Sequence, residues 1–135
     1  MFNFRILKSS TVRTIEPALR GSFSDAEIAM IADIGSLAHF TCGDEIITEG
    51  TPGECVYLIS SGTAAVQRKD GVEARLSRGD LVGERSLVTG EPRNATVTVR
   101  MPVTAIRFDR HQFARICCEL PKMDGLTKDL VESRS

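Results

Sequence analysis

The chain has 135 residues, 41% of them hydrophobic, and a formal net charge of −1. A chain of this length closes one sizeable core, and so balanced a charge excludes a global field that would draw it to nucleic acid or an anionic membrane, so any anion site must be local. Cys42, Cys55, Cys117 and Cys118 show neither a metal-ligand spacing nor the framework of a small secreted domain, which predicts reduced, mostly buried thiols.

The start, "MFNFRILKSSTVRT", lacks the apolar stretch of a secretory signal, and no run approaches the roughly 18 apolar residues of a membrane-spanning helix. Arg5, Lys8 and Arg13 precede the first acid, Glu16, a faint organellar bias; the reading is nevertheless a soluble, cytoplasmic protein in which residues 1–23 form an N-terminal extension. Next, "SFSDAEIAMIADIGS" predicts a helix with Ser24 as N-cap and Glu27 three residues on, a capping box. Ile28, Ile31 and Ile34 then fall near one face before Gly35.

Turn signals punctuate the middle at short intervals: "CGDE", "EGTPGE", "SSGT", "KDGV", "SRGD", "VGE" and "TGEP". Between them lie β-branched and apolar stretches, "FTC", "EIIT", "CVYLIS", "TAAVQR", "VEARLS", "ATVTVR" and "VTAIRF". In "ATVTVR", Ala95, Val97 and Val99 alternate with Thr96, Thr98 and Arg100, so one face is buried and the other wet. "VYLI" is apolar throughout and fits a strand between two layers. Seven or eight strands of this kind predict a sandwich, jelly roll or small barrel rather than a flat open sheet. After them, "DRHQFARICCEL" offers Asp109 as a cap and Phe113, Ile116 and Cys117 as an inner face, interrupted by Pro121. The tail carries Met123, Leu126 and Leu130 on one side of a further short helix, which Gly125 weakens by about 1 kcal/mol relative to alanine.

The chemistry concentrates in "GERSLVTGEPRNATV". If "ERSLV" winds into one helical turn after Gly83, its first N–H groups lack internal partners and sit at the positive end of the peptide dipoles, a setting that favours phosphate. Arg93, following Pro92, can return over the turn and hold two phosphate oxygens in a fork that an ammonium cannot imitate. Glu84 would be repelled by that phosphate and pairs more naturally with a sugar hydroxyl, a neutral donor or Arg93 itself. On the residues alone two readings stand: a site for a nucleotide or sugar phosphate, or a surface ion pair worth about 0–1 kcal/mol.

"LVGERSLVTGEPRNATV" resembles the phosphate-binding cassette of the cyclic nucleotide-binding domain family, with Gly83, Glu84, Leu87, Pro92, Arg93, Ala95, Thr96 and Val97 in register and Ser86 at the small-residue position. The similarity extends through "GDEIITEGTPGECVYLISSGTAAV", "RLSRGDLVGE" and "RFDRHQFARI", from about Ser24 to Cys118. The resemblance implies an eight-stranded β-roll, jelly-roll-like, with an N-terminal helix, a short cassette helix and C-terminal helices, the domain occupying residues 24–135. It implies that Arg93 clamps the cyclic phosphate, with Arg85, Ser86 and Asn94 beside it, and that Glu84, with Gly83, takes the ribose 2′-hydroxyl. Val66 and Leu76 would line the base pocket, and Met123, Leu126 and Leu130 would form a lid. The ligand implied is cAMP or cGMP, cAMP being favoured as the commoner in the family; the partner is an unnamed effector protein. Three positions depart from the pattern: Val82 replaces an aromatic, Arg85 an apolar residue, and Asn94 leaves the choice of base open.

Other classes fit less well. A metal-dependent cupin needs several histidines, and His39 and His111 stand in different elements, so no metal is expected. No nucleophile motif is present, and no enzymatic activity is expected. The 17 residues after Cys118 are too few for a helix-turn-helix, so no direct nucleic-acid binding is expected. The alternative to a sensor is a ligand-free β-roll serving as a protein-interaction scaffold, Glu84 and Arg93 filling its own pocket.

Overall fold

The computed structural model of the chain describes residues 9–68, 71 and 73–123; within these, the side chains of residues 9–11, 13, 18, 84, 85 and 88 lie outside the description. Two helices come first, α1 (Ser9–Leu19) and α2 (Asp25–Ile34). The predicted capping box is present: Ser24 Oγ accepts from the Glu27 N–H at 3.2 Å and Glu27 Oε1 accepts from the Ser24 N–H at 2.8 Å. These bonds satisfy amides that a helix start would otherwise leave open. Ile28, Ile31 and Ile34 are all buried. The sequence did not announce α1, whose polar residues and internal Pro17 hide the apolar pair Ile15 and Leu19, both fully buried.

Six strands follow among the described residues: β1 (Ser36–Phe40), β2 (Glu45–Ile47), β3 (Cys55–Arg68), β4 (Glu73–Leu76), β5 (Leu81–Val82) and β6 (Ala95–Asp109). Helix α3 (Glu84–Thr89) lies between β5 and β6, and α4 (Arg110–Glu119) follows β6. The sheet is antiparallel in the order β1-β6-β3-β4, with β2 also paired to β6 and β5 to β3. The architecture is therefore mainly β with flanking helices, as expected, although the eight strands of the resemblance are not resolved as eight. "CVYLIS" and "TAAVQR" join into one β3, and "ATVTVR" and "VTAIRF" into one β6. "FTC" contributes only its phenylalanine, to the end of β1.

The reason is that the turn signal between the halves of β3 is a bulge rather than a reversal. The β3–β6 register shifts between Ile59 and Ser61, again before Thr63 and again before Ala64, and bulges of this kind bend a strand without ending it. Gly62 sits there with φ +89°, and a Cβ on it would fall 2.1 Å from the Pro102 carbonyl oxygen, so the two strands meet at backbone contact. Only glycine combines that approach with that dihedral.

The bend divides the core. Val56, Leu58, Ile106 and Phe108 face a helical layer of Ile15, Leu19, Ile28, Ile31, Phe113, Ile116, Leu120 and Met123. Ile59, Ala64, Leu76, Val82, Val97, Val99, Val103 and Ala105 fill the inside of the roll. The apolar run "VYLI" thus does lie between two layers, and Ala95, Val97 and Val99 all turn inward. Asp109 caps α4, accepting from the Gln112 N–H at 2.7 Å, and the helix ends before Pro121. The four cysteines are free but not buried: Cys42 and Cys118 are exposed, Cys55 and Cys117 half-buried. Cys42 and Cys118 lie on a turn and on the outer face of α4, where neither core layer covers them. No described helix is long and apolar enough to cross a membrane.

Candidate functional site

Arg93 is a cation placed inside the protein, only 6% exposed. Its backbone is pinned first: its N–H donates to Thr51 O at 2.9 Å, and its carbonyl accepts from Gly50 N–H at 2.8 Å. The guanidinium then donates through Nη1 to Gly83 O and through Nη2 to Cys55 O, each at 2.7 Å. Such bonds to carbonyl oxygens satisfy two of the donors of the buried guanidinium. The guanidinium also lines a cavity of about 190 Å³.

Helix α3 forms the adjoining wall. Its N-cap, Gly83, is left-handed at φ 90°, and no side chain caps it, so its first amides carry the unsatisfied donors of a helix start. Ser86 is buried and lines the cavity, while Leu87, next along, packs against the helical layer. Gly53 presses on α3 from the other side: a Cβ there would meet Ser86 Cβ at 2.2 Å. The Gly53 carbonyl in turn accepts from Arg110 Nη2, at the start of α4, at 3.2 Å.

Of the residues singled out from sequence, the fold brings Gly83, Ser86, Arg93, Asn94, Val66 and Leu76 to one cavity. The backbones of Glu84 and Arg85 open α3, but their side chains lie outside the description. Met123 does not line this cavity; it is fully buried in the helical layer with Ile116 and Leu120. Leu126 and Leu130 lie outside the described residues.

Sequence reasoning missed part of the wall. Ile47, Ala74, Val82, Ala95 and Val97 supply apolar surface, and Arg68 and Arg75 add two further cations. The alternation that turned Ala95 and Val97 inward could have placed them there, and period two from Val66 could have flagged Arg68. Ile47 and Ala74 belong to short strands whose pairing is set only in the assembled sheet. Apolar walls with a buried guanidinium and helix-start amides at one end suit a ligand that is flat and apolar at one end and anionic at the other. Among the described residues no group of three or more His, Cys, Asp or Glu side chains is placed to hold a metal ion.

The family model described as "Cyclic nucleotide-binding domain" matches residues 37–119, from β1 to the end of α4. The chain is 37% identical over 103 residues to a cAMP-dependent protein kinase regulatory subunit of Aspergillus fumigatus, across 75% of this chain and 25% of that protein. It is 35% identical over 114 residues to cGMP-dependent protein kinase, isozyme 1, of Drosophila melanogaster, across 76% of this chain and 15% of that one. The matches thus span a quarter or less of these relatives' length. The fold is shared with a solved structure of Sp-2Cl-cAMPS bound to PKAR CBD2, at a TM-score of 0.79 and 23% identity, covering 94% of this chain and 89% of that one.

Proposed function

From the premise that this chain belongs to the cyclic nucleotide-binding domain family, we propose that it is a sensor that binds a cyclic nucleotide in the cavity beside α3 and signals the bound state through its helices. The observation that carries this reading is Arg93, buried, held by two backbone carbonyls and lining an otherwise largely apolar cavity. In this reading Arg93 grips the cyclic phosphate, with α3 amides around Arg85 and Ser86, and Asn94, completing the cradle. Glu84, at the head of α3 beside Gly83, takes the ribose hydroxyl. Val66 and Leu76 contact the base.

Signalling follows from how α3 is mounted. Ser86 faces the cavity and Leu87 the helical layer, so a ligand that draws α3 inward also moves a side chain embedded among the helices. The Gly53–Arg110 hydrogen bond offers a second route, to the first turn of α4. Ligand shifts such an equilibrium only by its differential affinity for the two arrangements. The receiver is an effector protein, and the binding unit itself does no chemistry. The resemblance favours cAMP, but relatives named for cAMP and for cGMP stand nearly level in identity, so the cavity wall must decide the base.

Calorimetric titration of cAMP and cGMP into the wild-type protein and Arg93→Ala tests the reading. Saturable binding that is weakened in the variant is expected. No heat and no thermal shift with either nucleotide would leave the protein-interaction scaffold in its place.

A further inference from the structure

The cavity carries a cation that the phosphate does not require. Arg68 is the last residue of β3, half-buried, and lines the cavity together with Val66, two residues earlier on the same strand. Period-two alternation puts the two on one face of β3, so Arg68 prolongs the wall assigned to the base. Its guanidinium makes no hydrogen bond or ion pair with any described residue. The neighbouring carboxylate is turned elsewhere: Glu73, whose β4 position pairs with Gln67, lies 3.6 Å from Arg100 Nη2. Arg93, by contrast, directs its guanidinium toward Gly83 and the opposite end of β3 at Cys55. The cavity is therefore lined by Arg93, hydrogen-bonded to the first residue of β3, by Arg68, the last residue of β3, and by the exposed Arg75 of β4, together with Val66, Ala74 and Leu76.

A half-buried arginine that lines a cavity can meet acceptors on whatever fills the cavity. A purine offers two contrasting edges. A 6-oxopurine presents O6 and N7, two adjacent acceptors that a guanidinium fork meets with two parallel N–H bonds; a 6-aminopurine presents N7 beside an amino donor, which opposes the fork. We infer that Arg68 is a specificity-determining residue, reading the O6/N7 edge and biasing the site toward cyclic 6-oxopurine nucleotides over cAMP. This deepens the proposed function and rests on it.

The experiment compares cGMP, cIMP and cAMP by calorimetry on the wild-type protein, Arg68→Ala and Arg68→Lys, with circular dichroism to confirm folding. cIMP isolates the O6/N7 edge, because it lacks the guanine amino group. The expected wild-type result is that cGMP and cIMP both bind about 5- to 150-fold tighter than cAMP, the range of one good bidentate base contact. In Arg68→Ala the ratio should fall toward one through weaker cGMP and cIMP binding, with cAMP little changed. Arg68→Lys keeps the charge and loses the fork, so its ratio should fall as well. Wild-type protein that binds cAMP as tightly as cIMP overturns the inference without any variant. So does an equal loss for all three nucleotides in Arg68→Ala, which would make Arg68 a general attractor of anions. Binding of cyclic nucleotides with no preference sinks this inference alone, whereas no binding of any of them sinks the sensor reading with it.

Discussion

Gly83 and Arg93 are fitted to each other at contact distance: the glycine carbonyl accepts from Arg93 Nη1 at 2.7 Å, and a Cβ on the glycine would fall 2.5 Å from that same nitrogen. One residue therefore sets both the start of α3 and the place of the guanidinium. Gly83→Ala meets two penalties, a left-handed φ of 90° and the displaced cation. The first costs about 1–2 kcal/mol, and Arg93 must shift to relieve the second. The variant should fold with lowered stability and bind cyclic nucleotide at least tenfold more weakly, read by denaturant unfolding and calorimetry. Unaltered affinity would mean that the position of Arg93 does not govern the site.

Removing the cation itself separates charge from geometry. Arg93→Ala should weaken binding by about 2–5 kcal/mol, the range for losing one partner of a buried charge pair. It also leaves the part-buried carbonyls of Gly83 and Cys55 without this donor, which should lower stability by less than the about 1–3 kcal/mol of a fully buried group left unsatisfied. Arg93→Lys restores a charge but cannot reach both carbonyls and a phosphate at once, so it should recover some stability and little affinity. Equal recovery of both would argue against a bidentate grip.

Much of this site was legible in the sequence because it is local. Gly83, Ser86 and Arg93 lie within one short segment, where helix-start chemistry and turn residues are visible in the sequence, although Arg93 is held in place by Gly50, Thr51 and Cys55 from earlier in the chain. The inward face of Ala95, Val97 and Val99 was legible for the same kind of reason, period two along one strand. What escaped depends on contacts far apart in sequence. The fusion of four short stretches into β3 and β6 follows from the backbone contact of Gly62 and Pro102, forty residues apart. Met123 reads as an apolar face in need of a partner, and its partner in the described structure is the helical layer. Arg68, at the end of β3, is paired to Ala95 of β6 and joins the cavity wall only once that distant strand is in place.

Asp109 joins β6 to α4, and its carboxylate accepts the Gln112 N–H at 2.7 Å while Gln112 Oε1 accepts the Asp109 N–H at 2.8 Å. Asp109→Ala removes one half of this box and should cost about 0.5–2 kcal/mol, measured as a lowered denaturation midpoint with an unchanged slope. Asp109→Asn, which keeps an acceptor oxygen, should lose clearly less.

Acid should weaken the helical layer at Glu27. Its carboxylate accepts from the Ser24 N–H at 2.8 Å and lies 3.2 Å from Lys122 Nζ. The Ser24 backbone bond, then Lys122, hold its pKa below the ordinary value of 4.5. A carboxyl whose folded pKa is depressed gives stability that is complete above its unfolded value and disappears as pH falls through the folded one. Glu27→Gln should therefore be less stable than wild type at pH 7, and the gap should begin to shrink near pH 4.5 and vanish only at more acid pH, below the lowered folded pKa. Unfolding curves at pH 7, 5 and 3 test this; a gap that stays constant would assign the loss to packing.

Gly53 and Ser86 test the coupling between cavity and helices. A Cβ at position 53 would sit 2.2 Å from Ser86 Cβ and 3.3 Å from Arg93 Nη1, so Gly53→Ala must push α3 outward or tilt it. Overpacking of this kind costs about 1–3 kcal/mol. Because the clash is with one methylene, Ser86→Gly in the same chain should relieve it. The double variant should then be more stable than the sum of the two single changes predicts, by the interaction that a double-mutant cycle isolates. If α3 carries the ligand signal, Gly53→Ala should also lower cyclic nucleotide affinity, and the double variant should regain the part due to displacement of α3. Additive losses in both stability and binding would show that Gly53 and Ser86 act independently, and the contact between them would then have no part in signalling.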